Sequence, residues 1–334
     1  MKLNNTITDV PGIKVGHAQD FEAITGCTVV LCEKGAYAGV DQRGGAPGTR
    51  ETDAIRPLHL VHKAHAIMLA GGSAYGLDAA SGAMKYLEEN GYGFDTGVVK
   101  VPIVPSAILF DLSVGNSKVR PTTEMGYQAC LNASNEPVLQ GCVGAGTGAT
   151  AGNMLGVKQS TKSGIGSASI DLGSGLIVGA LIAVNPFGDV LDGDGQIIAG
   201  VRTISKGPVT IGSSGVFADT RSLMKSSLGK TALTFASSHN TVVGVVATNA
   251  KLDNEETNFL ALMAQDGLAL AVRPSHTLFD GDTLFALSTG NIPMDVNIVG
   301  AYAAEAVKLA IQNAVRNAKS MGGIPAMCDL SNKV

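Results

Sequence analysis

Ser237-Ser-His-Asn-Thr-Val-Val-Gly-Val-Val-Ala-Thr248 is the stretch whose reading decides the fold. Its polar cluster ends at Asn240, and a β-branched run begins at once with Thr241, Val242 and Val243. Val and Thr bounded by small polar residues read as a buried strand. A hydroxyl therefore stands at the first residue of that strand, directly after an Asn. Breaking the Asn240–Thr241 bond would make Thr241 a chain terminus carrying both a nucleophile and an amine. Such an amine titrates near ~7.7–8.0, which suits a general base working near neutral pH. An ordinary strand after a turn is the plainer reading of the same letters, so the rest of the chain must decide.

Apolar residues make up 45% of the 334 and charged residues 16%, which places the chain among globular proteins. The 43 glycines imply many tight turns and close backbone approaches. A net charge of −4 without a basic stripe argues against nucleic-acid binding. No secretory signal opens the chain, and the longest apolar run, Leu176 to Val184, is too short for a bilayer. The expectation is a cytoplasmic protein with no membrane partner. Cys27, Cys32, Cys130, Cys142 and Cys328 are odd in number and scattered, which suggests buried thiols in a reducing compartment. Cys27 and Cys32 lie five apart in one strand and should face opposite ways.

Outward from the opening stretch, residues 8–17 and 27–32 read as early strands. Val40 to Arg50 reads as a glycine-rich loop. Ile55 to His65 could be a helix carrying His59, His62 and His65 at spacing three; a metal site is conceivable there, but no matching carboxylate or Cys follows, and a surface helix is preferred. Ala66 to Asp78 reads as strand and glycine turn, then helix to Glu89 with Gly91 past its end. Residues 98–112 are extended with two prolines, and 122–133 look helical. Gly144-x-Gly146-x-x-Ala149 partly matches a dinucleotide fingerprint, but no clean strand precedes it and no acidic residue sits at the expected distance. A structural turn or a backbone-lined pocket is the better reading. Ile165–Leu172 and Gly175–Val184 look like paired strands ending at Asn185-Pro186. Residues 193–240 look like an exposed, mobile connection. Asp253 and Glu256 form a capping box for a helix to about Val272, with Phe259, Leu260, Met263 and Leu270 expected inside. Asp280-Gly281-Asp282 precedes a strand, Thr283 to Ser288; it is either a turn or two carboxylates aimed at one site. Asp295 to Lys319 reads as a long amphipathic helix. With no break in composition, residues 1–334 are expected to form one domain.

Asn240-Thr-Val-Val-Gly-Val-Val-Ala-Thr-Asn249 followed by His276-Thr-Leu-Phe-Asp-Gly-Asp-Thr-Leu-Phe-Ala-Leu-Ser-Thr289 resembles the L-aminopeptidase/D-esterase family. That family includes β-peptidyl aminopeptidases and the nylon-oligomer (6-aminohexanoate oligomer) hydrolase, the second of which the chain resembles more. Val40-Asp-Gln-Arg-Gly-Gly-Ala, Leu69-Ala-Gly-Gly-Ser-Ala-Tyr-Gly-Leu, Gly144-Ala-Gly-Thr-Gly-Ala and Val184-Asn-Pro extend the resemblance over nearly the whole chain. It implies an α/β, four-layer αββα sandwich like that of N-terminal nucleophile hydrolases, cut by itself into 1–240 and 241–334. Thr241 then matches the nucleophile, and Asn240 the donor of the scissile carbonyl. Asn185 matches the oxyanion amide, and Asp280 and Asp282 match the pair orienting the nucleophile and its amine. Phe110, Asn153 and Tyr75 fall at the substrate pocket. Where the nylon-oligomer hydrolase has a Lys near the glycine tract this chain has Asn153, with Lys158 or Lys162 as substitutes. Where that hydrolase has a Tyr, this chain has Phe110.

The expected activity is hydrolysis of short peptide-like amides or esters through an acyl-Thr241 intermediate, with no cofactor or metal. A homo-oligomer, a tetramer by resemblance, is expected. The alternatives are a glycine-rich nucleotide- or phosphate-binding protein, resting on Gly141–Gly156, and an uncleaved assembly scaffold.

Overall fold

The computed structural model describes residues 3–204, 211, 212, 215–235 and 240–330; Ser237 to His239, at the head of the opening stretch, lie outside them. Nine strands share one hydrogen-bonded network: β1 (Lys14–Asp20), β2 (Thr25–Gln42), β3 (Thr49–Arg50), β4 (Lys63–Ala70), β5 (Ser106–Ile108), β6 (Ile165–Asp171), β7 (Ile177–Asn185), β8 (Thr241–Lys251) and β9 (Thr283–Pro293). The principal helices are α1 (Ala79–Glu89), α2 (Thr123–Leu131), α3 (Thr220–Lys225), α4 (Ser227–Phe235), α5 (Asn254–Ala271) and α6 (Val296–Arg316). The strand order is β6-β7-β8-β9-β2-β4-β5-β3, with β1 paired to β2 beside this path. β8 and β9 run parallel, so the chain must cross over between them, and α5 is that crossover.

β2, 18 residues long, makes two layers out of one network. Its first half pairs with β1 and β4, its register slips between Leu31 and Ala36, and Tyr37 to Gln42 pair with β9. Strand alternation then sets the cores. Val243, Val245 and Ala247 of β8 point into a middle core with Leu181, Phe285, Val30 and Ile67, drawn from both layers. Val242, Val246 and Ala250 point the other way, onto Leu260, Ala264, Val299 and Ala303 of α5 and α6. On the far side, Val29, Leu31 and Met68 pack under Ala83 of α1 and Ala129 of α2. The result is the four-layer αββα sandwich. Each fully buried Val or Leu in it is worth about 1.5–3 kcal/mol.

Several expectations need correction. Residues 55–65 are not a helix: Pro57 lies in the stretch, β4 begins at Lys63, and the His59 and His62 rings bond the carbonyls of Arg56 and His59 at 3.2 and 2.8 Å. Residues 8–13 are not a strand: a short 3-10 helix, Ile7–Asp9, is followed by a turn, and the first strand starts at Lys14. Residues 193–240, expected as a loose connection, contain a short strand, Ile197–Ala199, and both α3 and α4. On α5 the capping box and the limits hold, but Phe259 and Leu270 are exposed by 46% and 60%. Leu260 is inside as expected, and the rest of the buried face is Ala261, Ala264, Leu268 and Ala271. Cys27 and Cys32 do fall in different cores, while Cys328 is exposed. Among the described residues no helix is long and apolar enough to cross a membrane.

Candidate active site

Register builds the site. Asn185, last residue of β7, pairs directly with Thr241, first residue of β8. Directly opposed residues of an antiparallel pair project to one face, here the middle-core side at the end of both strands. Both are almost wholly buried. On the other flank of β8, Asn240 pairs in parallel with Asp280, just before β9. Three chain segments distant in sequence thus meet at one strand end.

The Asn240 carbonyl oxygen accepts the Gly281 backbone N–H at 3.0 Å, and the Thr241 hydroxyl also donates to it. Asp282 Oδ1 accepts the Val242 N–H at 2.8 Å, while its Oδ2 accepts the backbone N–H and ring Nδ1 of His276 at 3.0 and 2.9 Å. Asp280 Oδ1 accepts the Phe187 N–H at 3.0 Å; its Oδ2 accepts the Thr277 N–H at 3.0 Å and the Thr277 hydroxyl at 2.5 Å. Burial first, and the Asp282 charge second, push the Asp280 carboxyl up to about 7.

Asn185 is oriented from behind. The Thr150 N–H can only donate, so the atom it meets at 3.0 Å is Oδ1, and Nδ2 is the donor end, given to the Phe110 carbonyl at 3.1 Å. Asn153 fastens the same corner: its Oδ1 accepts the Thr150 hydroxyl at 2.8 Å, and its Nδ2 reaches the Thr150 and Pro186 carbonyls at 3.1 Å each. Tyr75 lies 60% exposed, with the Arg120 guanidinium 3.7 Å from its ring centre. Lys162 is fully buried, and its ammonium donates to the Ala149 and Ser163 carbonyls at 2.7 Å each, while burial holds its pKa down. Lys158 is exposed.

The sequence had not marked Gly281, Thr277, His276, Thr150 or Phe187. Thr277 stands three residues before Asp280 and His276 six before Asp282, a spacing that could have been read as a loop folded back on its own carboxylates. The other three act through backbone donors or across long sequence separations.

The glycine tract is packed, not open. Gly144 to Gly146 form a short 3-10 turn, and the amides of Gly144, Ala145, Gly146, Thr147 and Thr150 are all spent on the protein itself. A phosphate loop needs such amides free at the head of a helix, and the next regular element is a two-residue strand. The nucleotide-binding alternative is set aside on that ground. Among the described residues no group of three His, Cys, Asp or Glu is arranged to hold a metal ion.

The layers match those of solved structures. A β-aminopeptidase of a Burkholderia species covers 99% of this chain and 94% of its own with a TM-score of 0.70 at 22% identity. The L-aminopeptidase D-Ala-esterase/amidase of Ochrobactrum anthropi, described as a variant of the Ntn hydrolase fold, covers 96% and 88% with a TM-score of 0.71 at 20% identity. The fold is thus that of an Ntn hydrolase. Peptidase family S58 matches residues 5–327, and the chain belongs to that family. It is accordingly an enzyme of the aminopeptidase and amidohydrolase class. An uncharacterized aminopeptidase of Mycobacterium leprae is 41% identical over 98% of this chain and 94% of its own. The 6-aminohexanoate-oligomer endohydrolase of a Kocuria species is 30% identical over 92% and 85%. The chain thus shares more identity with the nylon-oligomer hydrolase than with the β-aminopeptidase, as expected, and more again with the mycobacterial aminopeptidase.

Proposed function

We propose that the chain cuts its own Asn240–Thr241 bond and then works as an N-terminal-threonine aminopeptidase or amidohydrolase on short peptide-like amides or esters. One observation carries this reading: the Asn240 carbonyl oxygen is held between the Gly281 N–H, at 3.0 Å, and the hydroxyl of Thr241. In the cut, Thr241 Oγ1 attacks the Asn240 carbonyl carbon, and the Gly281 N–H takes the oxyanion. The hydroxyl proton passes to the Thr241 nitrogen as the C–N bond breaks, leaving an ester and a free α-amine, and water hydrolyses the ester to give pieces 1–240 and 241–334.

In turnover the α-amine of Thr241 accepts the proton of its own hydroxyl, which attacks the substrate carbonyl. Asn185 Nδ2 stabilises that oxyanion, a contribution worth about 3–4 kcal/mol. The leaving amine takes up the proton, and water releases the acyl group from Thr241. Asp280 and Asp282 hold the α-amine in place. Phe110, whose carbonyl fixes Asn185, is the pocket residue best supported by geometry. Similarity to a 6-aminohexanoate-oligomer endohydrolase and to a β-aminopeptidase puts linear amides of β- and ω-amino acids beside α-amino acid amides as substrates. Exposed Phe259, Leu262 and Leu270 on α5, with Ile298 and Tyr302 on α6, supply an apolar face for the homo-oligomer, a tetramer in this reading.

The test is a denaturing gel with mass spectrometry. Wild-type protein is expected to give a fragment whose first residue is Thr241, and Thr241→Ala to stay full length and inactive. Active wild-type protein that runs as one intact band would remove the mechanism. Amino-acid p-nitroanilides of the α, β and ω series then rank the substrates.

A further inference from the structure

Three features single out His276, to which the mechanism above gives no task. Its backbone lies in the left-handed region, φ +55°, which strains a residue with a Cβ. From that conformation its backbone N–H and its ring Nδ1 converge on one atom, Asp282 Oδ2, at 3.0 and 2.9 Å. Its Nε2 is buried with no hydrogen-bond partner among the described residues, a second local cost. Folding alone gives no reason to keep both. Glycine would remove the first and lose nothing of the backbone bond, and Asn tolerates this φ well.

We infer that His276 is a positioning residue: its two contacts on Asp282 Oδ2 fix that carboxyl with Oδ1 turned to the Val242 amide, beside Thr241. The inference rests on the N-terminal-threonine reading given above.

The hydrogen bonds carry it. Two groups of one residue, the His276 backbone N–H and ring Nδ1, meet Asp282 Oδ2 at 3.0 and 2.9 Å, and with that oxygen pinned the other, Oδ1, lies on the Val242 N–H at 2.8 Å. Asp282 is almost wholly buried, so these contacts rather than water set its orientation. After the cut, this carboxyl lies one residue from the new α-amine, where it can hold that amine at the correct angle to Oγ1.

The experiment uses the full chain carrying His276→Gly, His276→Asn or His276→Gln. Glycine removes the ring and relieves the φ. Asn returns a donor at the place of Nδ1, and Gln puts its donor at the place of Nε2. The time course of conversion to fragments is read on denaturing gels, kcat and KM are measured on the mature fraction with an amino-acid p-nitroanilide, and the melting temperature is taken alongside. His276→Gly is expected to melt at or above the wild-type temperature yet mature and turn over about 10- to 100-fold more slowly, with KM near the wild-type value. His276→Asn is expected to recover most of the rate, and His276→Gln little of it. Wild-type rates in His276→Gly, or a His276→Asn as slow as His276→Gln, would overturn the inference. Should His276→Gly not fold, the Asn and Gln pair decides by the same criterion. A wild-type chain that never yields a fragment beginning at Thr241 sinks the underlying reading. A wild-type chain that matures beside a His276→Gly that matures as fast sinks only the role of the imidazole.

Discussion

A Cβ placed on Gly281 would lie 3.0 Å from Thr241 Oγ1 and 2.5 Å from the Ala46 carbonyl oxygen. Gly281→Ala should therefore displace the amide that holds the Asn240 carbonyl and slow self-cleavage about 100-fold. A gel time course at the wild-type rate would remove that amide from the mechanism. Asn185→Ala should mature but lose about 10²–10³ in kcat, read on the same p-nitroanilide. Asp280 makes a prediction about pH. Its folded value, about 7, is above the unfolded one, so the folded chain binds the extra proton and stability is lost as pH rises toward 7. Asp111 and Asp189, each raised to about 6 mainly by burial, add to the same slope. The melting temperature should fall from pH 5 to pH 8, and fall less in Asp280→Asn whatever that variant's absolute value. An unchanged slope would contradict the assignment. Thr241, Asp280 and Asp282 could be singled out as polar residues at the ends of apolar strands, whereas Asn185 became a site candidate only through resemblance. The Gly281 amide was not legible, since a backbone donor leaves no mark in a sequence. Thr150 was not either, because it meets Asn185 across 35 residues.

At the scale of elements, α5 and α6 approach so closely that a Cβ on Gly267 would sit 2.0 Å from the Ala304 carbonyl oxygen. Gly267→Val should cost about 1–3 kcal/mol or more, measured by urea unfolding, and a neutral result would mean the helices slide apart freely. This contact explains what the sequence misled about. The limits of α5 were readable from Asp253 and Glu256, because capping is local chemistry. Its buried face was not, because close helix packing selects Ala261, Ala264, Gly267 and Ala271 over the larger Phe259 and Leu270. Size is a poor guide where two backbones touch. The histidines at 59, 62 and 65 misled for a related reason: spacing proposes a helix, but Pro57 and the pairing of Lys63 to Ala70 with β2 outweigh it.

For the whole molecule, the αββα layering was legible only through resemblance. Nothing local announces that β2 slips register after Leu31 and serves both layers. If the chain is cut as proposed, the strand order would hold the pieces together. β8 and β9 follow the proposed cut, and both of their outer neighbours, β7 and β2, precede it. The two pieces should co-elute in gel filtration and part only in denaturant; separate native peaks would refute this. The same interleaving dictates an order of events. A 241–334 peptide made on its own would have to wedge a strand–helix–strand unit between two edges that, without it, are free to close on each other. Co-expressed halves should therefore assemble poorly beside the single chain, and in the self-cleaving reading scission would come late in maturation, licensed by a sandwich already zipped.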